Sequence, residues 1–384
     1  LAGSDKRIPL LILGDSPSGH SGLGRILRDI ATLTALHLKD VFDVATIGLG
    51  NPPSKQLPFM QYPAGNVQDW VVEGLPYAWR DHVGNREGIL FSIWDLSRLL
   101  WLAYPEQCPN LAVSQFLRDT KMKKWVYPAI DGAGPDGGLS GLLKDAATKF
   151  DRFLNYTQFS AEITGFPDVA THGIDVRTFY RRPDAKGILP QFGITLEDGE
   201  KVIGIVATNQ PRKDWGLAFE AMRILKERGH KLRIWIHTDV QARHWDLQML
   251  YSDFALHPEI KCFLTPFGLP DETMATLYSA CDLTLGIGPE GFGYPIAESL
   301  CCGTPCVTGS YGGQADFVPE FLQVAPIAFR FEGSFGIKRP VYDAFGFADK
   351  IEEVLRWGTV TEAVCSWRTV WPVWEKWLRA GIES

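Results

Sequence analysis

Residues 290–299 read EGFGYPIAES and set two carboxylates, Glu290 and Glu298, with seven residues between them. The gap holds a glycine-flanked aromatic (Gly291, Phe292, Gly293) followed by Tyr294 and Pro295. Before it, CDLTLGI (281–287) has the length and apolar density of a short buried strand. After it, IAESLCCG (296–303) reads as a helix closed by a glycine, with Pro305 beyond. A strand, a glycine turn and a helix start offer an anion unpaired backbone N–H groups and the positive end of a helix dipole, and phosphate is the usual guest. Glu290 then lies in the loop at the mouth, and Glu298 about a turn or more into the helix. One acid reaches the far end of a phosphate-bearing ligand and the other its near end.

Two cations suit the same ligand. NQPRKDWG (209–216) joins a strand to a helix, so Arg212 and Lys213 are expected at the carboxyl edge of a sheet. Arginine binds a diphosphate by bidentate hydrogen bonds, and lysine acts on it as a point charge. Earlier in the chain, GDSPSGHSGLGR (14–25) carries glycines that let backbone approach a ligand closely, Gly22 and Gly24 among them. Its order is Gly19-x-x-Gly22-x-Gly24, which departs from the dinucleotide fingerprint, and the second strand ends in Ile47-Gly48 with no acid for a ribose hydroxyl. A nicotinamide-dependent oxidoreductase is therefore a distant alternative. His172 in THGIDVRTFYRRP either bonds a substrate or is a structural residue near a strand end. Asp95 and Asp131 fall at strand ends, where open sheets bind ligands.

The elements that must hold these residues alternate. Strands are expected at RIPLLILG, VFDVATIG, GILFSIWD, WVYPAID (125–131), RFLNYT and DVATHGI (168–174), with a helix near Gly24 whose stripe is Ile26, Leu27, Ile30, Leu33 and Thr34. RRPDAKGILPQFGITLEDGE (181–200) is polar and broken by Pro and Gly, which reads as a linker. The alternation restarts at KVIGIVA and runs through KLRIWIH, IKCFLTP, CDLTLGI and TPCVTG. The expected fold class is α/β, with two doubly wound Rossmann-like domains facing a central cleft. Their bounds are 1–180 for the first domain, 181–200 for the linker and 201–364 for the second. The Trp-rich helix in 365–384 needs something large to pack against and is expected back on the first domain.

At 384 residues, with 45% apolar and 12% aromatic content, the chain can fill two cores. It has no apolar run long enough to span a bilayer. The opening LAGSDKR has no signal core and no Met, and reads as a cloning remnant ahead of a cytoplasmic protein. Seven cysteines without metal-ligand spacing read as reduced core residues in a reducing compartment, with no zinc site. A net charge of −7 argues against a general nucleic-acid coat, although RDTKMKKW (118–125) and RTFYRRPDAK (177–186) are locally basic.

Together these segments resemble the retaining nucleotide-sugar glycosyltransferases of the GT-B fold, the group of glycogen synthases, sucrose synthases and mannosyltransferases. EGFGYPIAESLCCGTPCVTGSYGGQADFV (290–318) is similar to that group's donor-site signature, PRKDWGLAFEAM to its phosphate-binding turn, HGIDVRTFYRRP to its domain junction and SGLGR to its first glycine loop. The resemblance implies a metal-independent transfer from a nucleoside diphosphate sugar, a UDP-sugar being favoured, with no other cofactor. It implies that Glu290 contacts donor sugar hydroxyls and Glu298 the ribose. Backbone at Phe292, Gly293 and Tyr294 would meet the pyrophosphate, with Arg212 and Lys213 neutralising it, and Gly22, Gly24 and His172 would line the donor's path. Thr208 stands where many relatives have arginine, which passes that duty to Arg212. Ile130-Asp131 replaces the group's His-Asp pair, which leaves the acceptor-side chemistry open, with Asp131 among the catalytic candidates. IDGAG and SGLGR also resemble glycosyltransferases carried by bacteriophages, which adds hydroxymethylated DNA bases as a secondary acceptor and host cytoplasm as the compartment. A protein that keeps the fold but has lost turnover is the remaining alternative.

Overall fold

The computed structural model describes residues 6–383 except 20, 55, 240–243, 266–267, 334–335, 359–360 and 363. The first five residues of the N-terminal remnant reading therefore lie outside the described residues. The chain divides into two compact units: residues 1–130 with 136–170 and 371–384, and residues 131–135 with 171–370.

In the first unit six parallel strands form one sheet, β1 (Ile8–Asp15), β2 (Phe42–Leu49), β3 (Met60–Pro63), β4 (Ile89–Ile93), β5 (Lys123–Val126) and β6 (Arg152–Phe153), in the order β3-β2-β1-β4-β5-β6. Leu10, Leu11, Ile12 and Leu13 are all fully buried, as a parallel strand covered on both faces requires. Helix α1 (Gly22–His37) follows β1 and is capped by Ser21, whose hydroxyl accepts from the Gly24 N–H at 3.0 Å. Its buried stripe is Ile26, Leu27, Ile30, Ala31 and Thr34.

The second unit repeats the pattern with β7 (Lys201–Val206), β8 (Leu232–His237), β9 (Ile260–Thr265), β10 (Leu283–Gly286), β11 (Cys306–Gly309) and β12 (Gln323–Val324), ordered β9-β8-β7-β10-β11-β12 and all parallel. Helix α2 (Trp215–Glu227) leaves β7, capped by Asp214 onto the Leu217 N–H at 3.0 Å, and α3 (Tyr294–Cys301) leaves β10. An antiparallel hairpin, β13 (Ala328–Glu332) and β14 (Ile337–Val341), follows the sheet. Both sheets are therefore doubly wound. In the second, the strand order reverses between β7 and β10, the position at which open α/β sheets take their ligands.

The C-terminal helix α4 (Trp367–Glu383) finds the large partner its tryptophans need. Trp377 meets Trp125 edge-on at 5.2 Å, Trp374 meets Tyr127 at 4.7 Å, and Arg152 lies over Trp377 at 4.0 Å while donating to its carbonyl at 2.6 Å.

Several expectations change. The strand expected over 125–131 is Lys123–Val126, because Pro128 interrupts the ladder and Asp131 turns into the second unit. Residues 168–174 form no strand and pair only through isolated bridges, Asn155 with Val169 and Ile174 with Ser366. Residues 181–200, expected as a linker, lie within the second unit. There Ala185–Phe192 winds into a 3-10 helix, and Arg182 and Lys186 bind Glu272 and Asp282.

Candidate functional site

The β7–α2 loop and the β10–α3 loop flank the reversal in the second sheet and bring Arg212, Lys213 and Glu290 together. Lys213 donates to one Glu290 oxygen, and Arg212 Nη1 reaches the other at 3.2 Å while also donating to the Pro289 carbonyl at 2.8 Å. Gly288 allows this closeness. Its φ is +102°, and a Cβ there would stand 2.5 Å from the Arg212 carbonyl oxygen. The first loop is fixed from behind, because Asn209 exchanges hydrogen bonds with the Trp245 backbone at 2.8 and 3.0 Å. The second loop is fixed by Gln314, whose side-chain oxygen accepts from the Glu290 N–H at 3.0 Å, and by the Gly313 N–H donating to the Glu290 carbonyl at 2.8 Å.

A second layer holds Arg212. Asp131 lies 3.7 Å from Arg212 Nε and 3.2 Å from Arg339 Nη1, and Arg339 also donates to the Asp131 carbonyl and pairs with Glu332. The hairpin β13–β14 thus clamps residues 131–133, with the Lys338 N–H bonded to the Ala133 carbonyl at 2.7 Å and the Ala133 N–H donating to the Tyr311 hydroxyl at 3.0 Å. The six charged groups alternate in sign, three cations against three acids, so the cluster balances itself.

Burial pushes the Lys213 ammonium down to about 8, and Arg212 adds to the fall while Glu290 and Asp131 oppose it. Burial also works against the Glu290 carboxylate, yet Lys213 and Arg212 more than offset that and hold it below the ordinary glutamate value. The ion pair is therefore formed at neutral pH, with the lysine as the member closest to losing its charge.

The loop between Glu290 and α3 is anchored by rings. Phe292 is 3% exposed and packs on His172 (4.5 Å), Tyr294 (5.5 Å) and Phe317 (4.9 Å). His172 stacks on Tyr294 at an interplanar angle of 18°, and burial holds its pKa well below the ordinary value, so it is a neutral ring. With the side chains of Phe292 and Tyr294 turned inward and Gly293 at φ +99°, it is backbone that this loop presents ahead of the helix.

The remaining sequence-predicted residues are placed differently. Glu298 is 5% exposed inside α3 and sits beside Tyr278, whose hydroxyl pKa is raised first by burial and then by that carboxylate. It is no part of the Arg212–Lys213–Glu290 group. Gly22 opens α1 and is exposed, whereas Gly24 is buried where a Cβ would stand 2.5 Å from the Ser16 carbonyl oxygen. Both belong to the first unit, and Asp131, assigned by sequence to the first domain, belongs to the second. Some cations of the basic runs hold local partners: Lys124 donates to the Leu102 carbonyl at 2.8 Å, Arg177 binds Asp175 and Arg182 binds Glu272. Arg339, Glu332 and Tyr311 escaped the sequence reading, since nothing local ties a hairpin to Asp131 some two hundred residues earlier. Gln314 lies inside the donor-site-like segment 290–318, and its place directly after Gly312-Gly313 was the available signal.

Comparison with solved structures settles the architecture. Sucrose-phosphate synthase from Thermosynechococcus elongatus superposes with a TM-score of 0.73 at 15% identity, covering 98% of this chain and 100% of that one. Anabaena HepE, in complex with UDP and glucose, gives 0.68 at 15% identity over 98% and 100%. The catalytic domain of starch synthase IV from Arabidopsis thaliana, bound to ADP and acarbose, gives 0.65 at 12% identity over 98% and 100%. The fold is GT-B. Within it, residues 191–325 match the family model described as glycosyl transferases group 1, a stretch that contains Arg212, Lys213, Glu290 and the whole of α3. A search of curated proteins gives no match. Among the described residues of this GT-B chain no helix is long and apolar enough to cross a membrane.

Proposed function

We propose that this chain moves a glycosyl group from a nucleoside diphosphate sugar to a hydroxyl acceptor with retention at the anomeric carbon. The observation that carries the reading is the meeting of Arg212, Lys213 and Glu290 at the strand reversal, inside the stretch matching glycosyl transferases group 1. That HepE has been seen with UDP and glucose favours a UDP-sugar here.

The charge balance suggests how the donor engages. An arriving diphosphate competes with Glu290 for Arg212 and Lys213, which releases the carboxylate to accept hydrogen bonds from the sugar's hydroxyls. Backbone N–H groups at the start of α3 add fixed dipoles. As the bond from the anomeric carbon to the phosphate oxygen breaks, the leaving diphosphate gains negative charge, and fixed cations stabilise that change most. The acceptor oxygen bonds to the same face, and its proton passes to the departing phosphate oxygen. Arg212 and Lys213 supply the positive charge in this scheme, so a resident metal is not required. Glu298, deep in α3, is assigned to the ribose end through the segment's resemblance, and His172 to holding the Phe292–Tyr294 turn. The acceptor is read as a carbohydrate or small hydroxyl compound in preference to DNA, because the chain carries a net charge of −7 and Lys124, Arg177 and Arg182 of its basic runs already hold local partners.

The test is hydrolysis and transfer across a panel of nucleotide sugars. One donor is expected to turn over, and UDP is expected to protect it competitively. Absence of turnover with every donor, together with no calorimetric binding of UDP, GDP or ADP, would discard the reading.

A further inference from the structure

A strained turn in the first unit carries an exposed tryptophan. Val67–Gln68 and Val71–Val72 form a two-residue hairpin whose corner is Asp69-Trp70, with φ of +50° and +65°. Corners of this kind favour Asn-Gly, and an aromatic side chain there is held against its backbone preference. Such strain gathers where a side chain is being presented to something. Trp70 is nonetheless 48% exposed. Its ring is braced: the Arg98 guanidinium lies 4.2 Å from the centroid, and the buried Trp94 meets it edge-on at 5.6 Å and 86°. Asp95 bonds Arg98 Nε at 3.0 Å, which fixes the guanidinium, and its carboxylate stays partly exposed. Trp94 and Asp95 directly follow β4, so the group lies at the carboxyl edge of the first sheet, the edge at which open α/β sheets take their ligands.

We propose that Trp70, braced by Arg98 and flanked by Asp95, is a carbohydrate-stacking platform. The apolar C–H face of a pyranose fits an immobilised π-face, and a carboxylate at its rim accepts from ring hydroxyls. The guanidinium held against the indole restrains the ring, so little freedom is lost on binding. A sugar is favoured over a nucleobase because the polar partner is an acid and the chain carries a net charge of −7. That the bound sugar is the acceptor rests on the transferase reading; the platform itself does not.

Saturation-transfer NMR with the methyl glycosides of glucose, galactose and mannose tests it, with deoxycytidine monophosphate as the comparison arm. At least one glycoside should receive transfer from the native protein and from Glu290→Ala. In Trp70→Gly binding should be about fivefold weaker or worse. That variant relieves the corner's strain, so its melting temperature should equal or exceed the native value, and Trp70→Asn, also tolerant of positive φ, should show the same loss. Equal transfer in these variants, transfer to the nucleotide alone, or none to any probe would overturn the proposal. Glycoside binding dependent on Trp70 in a protein that turns over no donor would sink the transferase reading and leave the platform standing. Turnover without such binding would do the reverse.

Discussion

The two units share one strand order and differ in what their carboxyl edges carry. In the second, the loops at the reversal hold Arg212, Lys213 and Glu290, and residues 131–133 and the hairpin extend them to six charged groups of alternating sign. In the first, the same kind of edge holds a glycine-rich helix start capped by Ser21, and a tryptophan braced by an arginine. The sheets are alike because parallel strands buried on both faces have few apolar solutions. Loops bear no such constraint, so chemistry is written into them and one scaffold can serve two tasks.

The comparison can be broken at several points. The largest effect is expected at Trp374, fully buried against Tyr127. Trp374→Ala should cost about 3–5 kcal/mol of stability, seen as an early denaturant transition in urea, and a change below about 1 kcal/mol would mean α4 is not part of that core. Next comes Glu290→Ala, which should lower turnover about a hundredfold, or about 2.7 kcal/mol, while UDP affinity holds or rises because an internal competitor for the cations is gone. Weaker UDP binding in that variant would contradict the exchange. Lys213→Ala should weaken UDP about tenfold by calorimetry, with unchanged affinity counting against it.

The pH dependence sharpens this. Burial brings Lys213 to about 8, so its positive charge is present below that pH and lost above it. UDP affinity should fall as pH rises from 7 to 9, and the fall should vanish in Lys213→Arg. Across the window between about 8 and the ordinary lysine value, the unfolded chain binds the extra proton, so this group's contribution to stability rises with pH. The smallest effect is expected at Arg339→Ala. Asp131 would then draw Arg212 more strongly, and UDP affinity should drop a few-fold with the fold intact.

Legibility in the sequence followed locality. The runs LLIL and KVIGIV announced buried parallel strands, and RK beside DWG announced a loop ahead of a capped helix. The EGFGYPIAES turn pointed to Glu290 because strand, glycine and helix are contiguous there. Asp131 was misplaced because its partners, Arg212 and Arg339, come from distant segments, and no local pattern reports such a meeting. The linker reading failed for a related reason: polar residues such as Arg182 and Lys186 look solvated until Glu272 and Asp282 arrive beside them. Glu298 reads as a partner of Glu290 along the chain, whereas helix geometry turns it toward Tyr278.

The placement of α4 has a bearing on synthesis. Residues 371–384 complete the first unit, yet they leave the ribosome only after every residue of the second unit has emerged. The second unit can therefore mature during translation while the first waits with Phe91, Trp125 and Tyr127 uncovered, exposed to chaperones and to self-association. A truncation near residue 365 would thus damage the half of the protein that was made earliest.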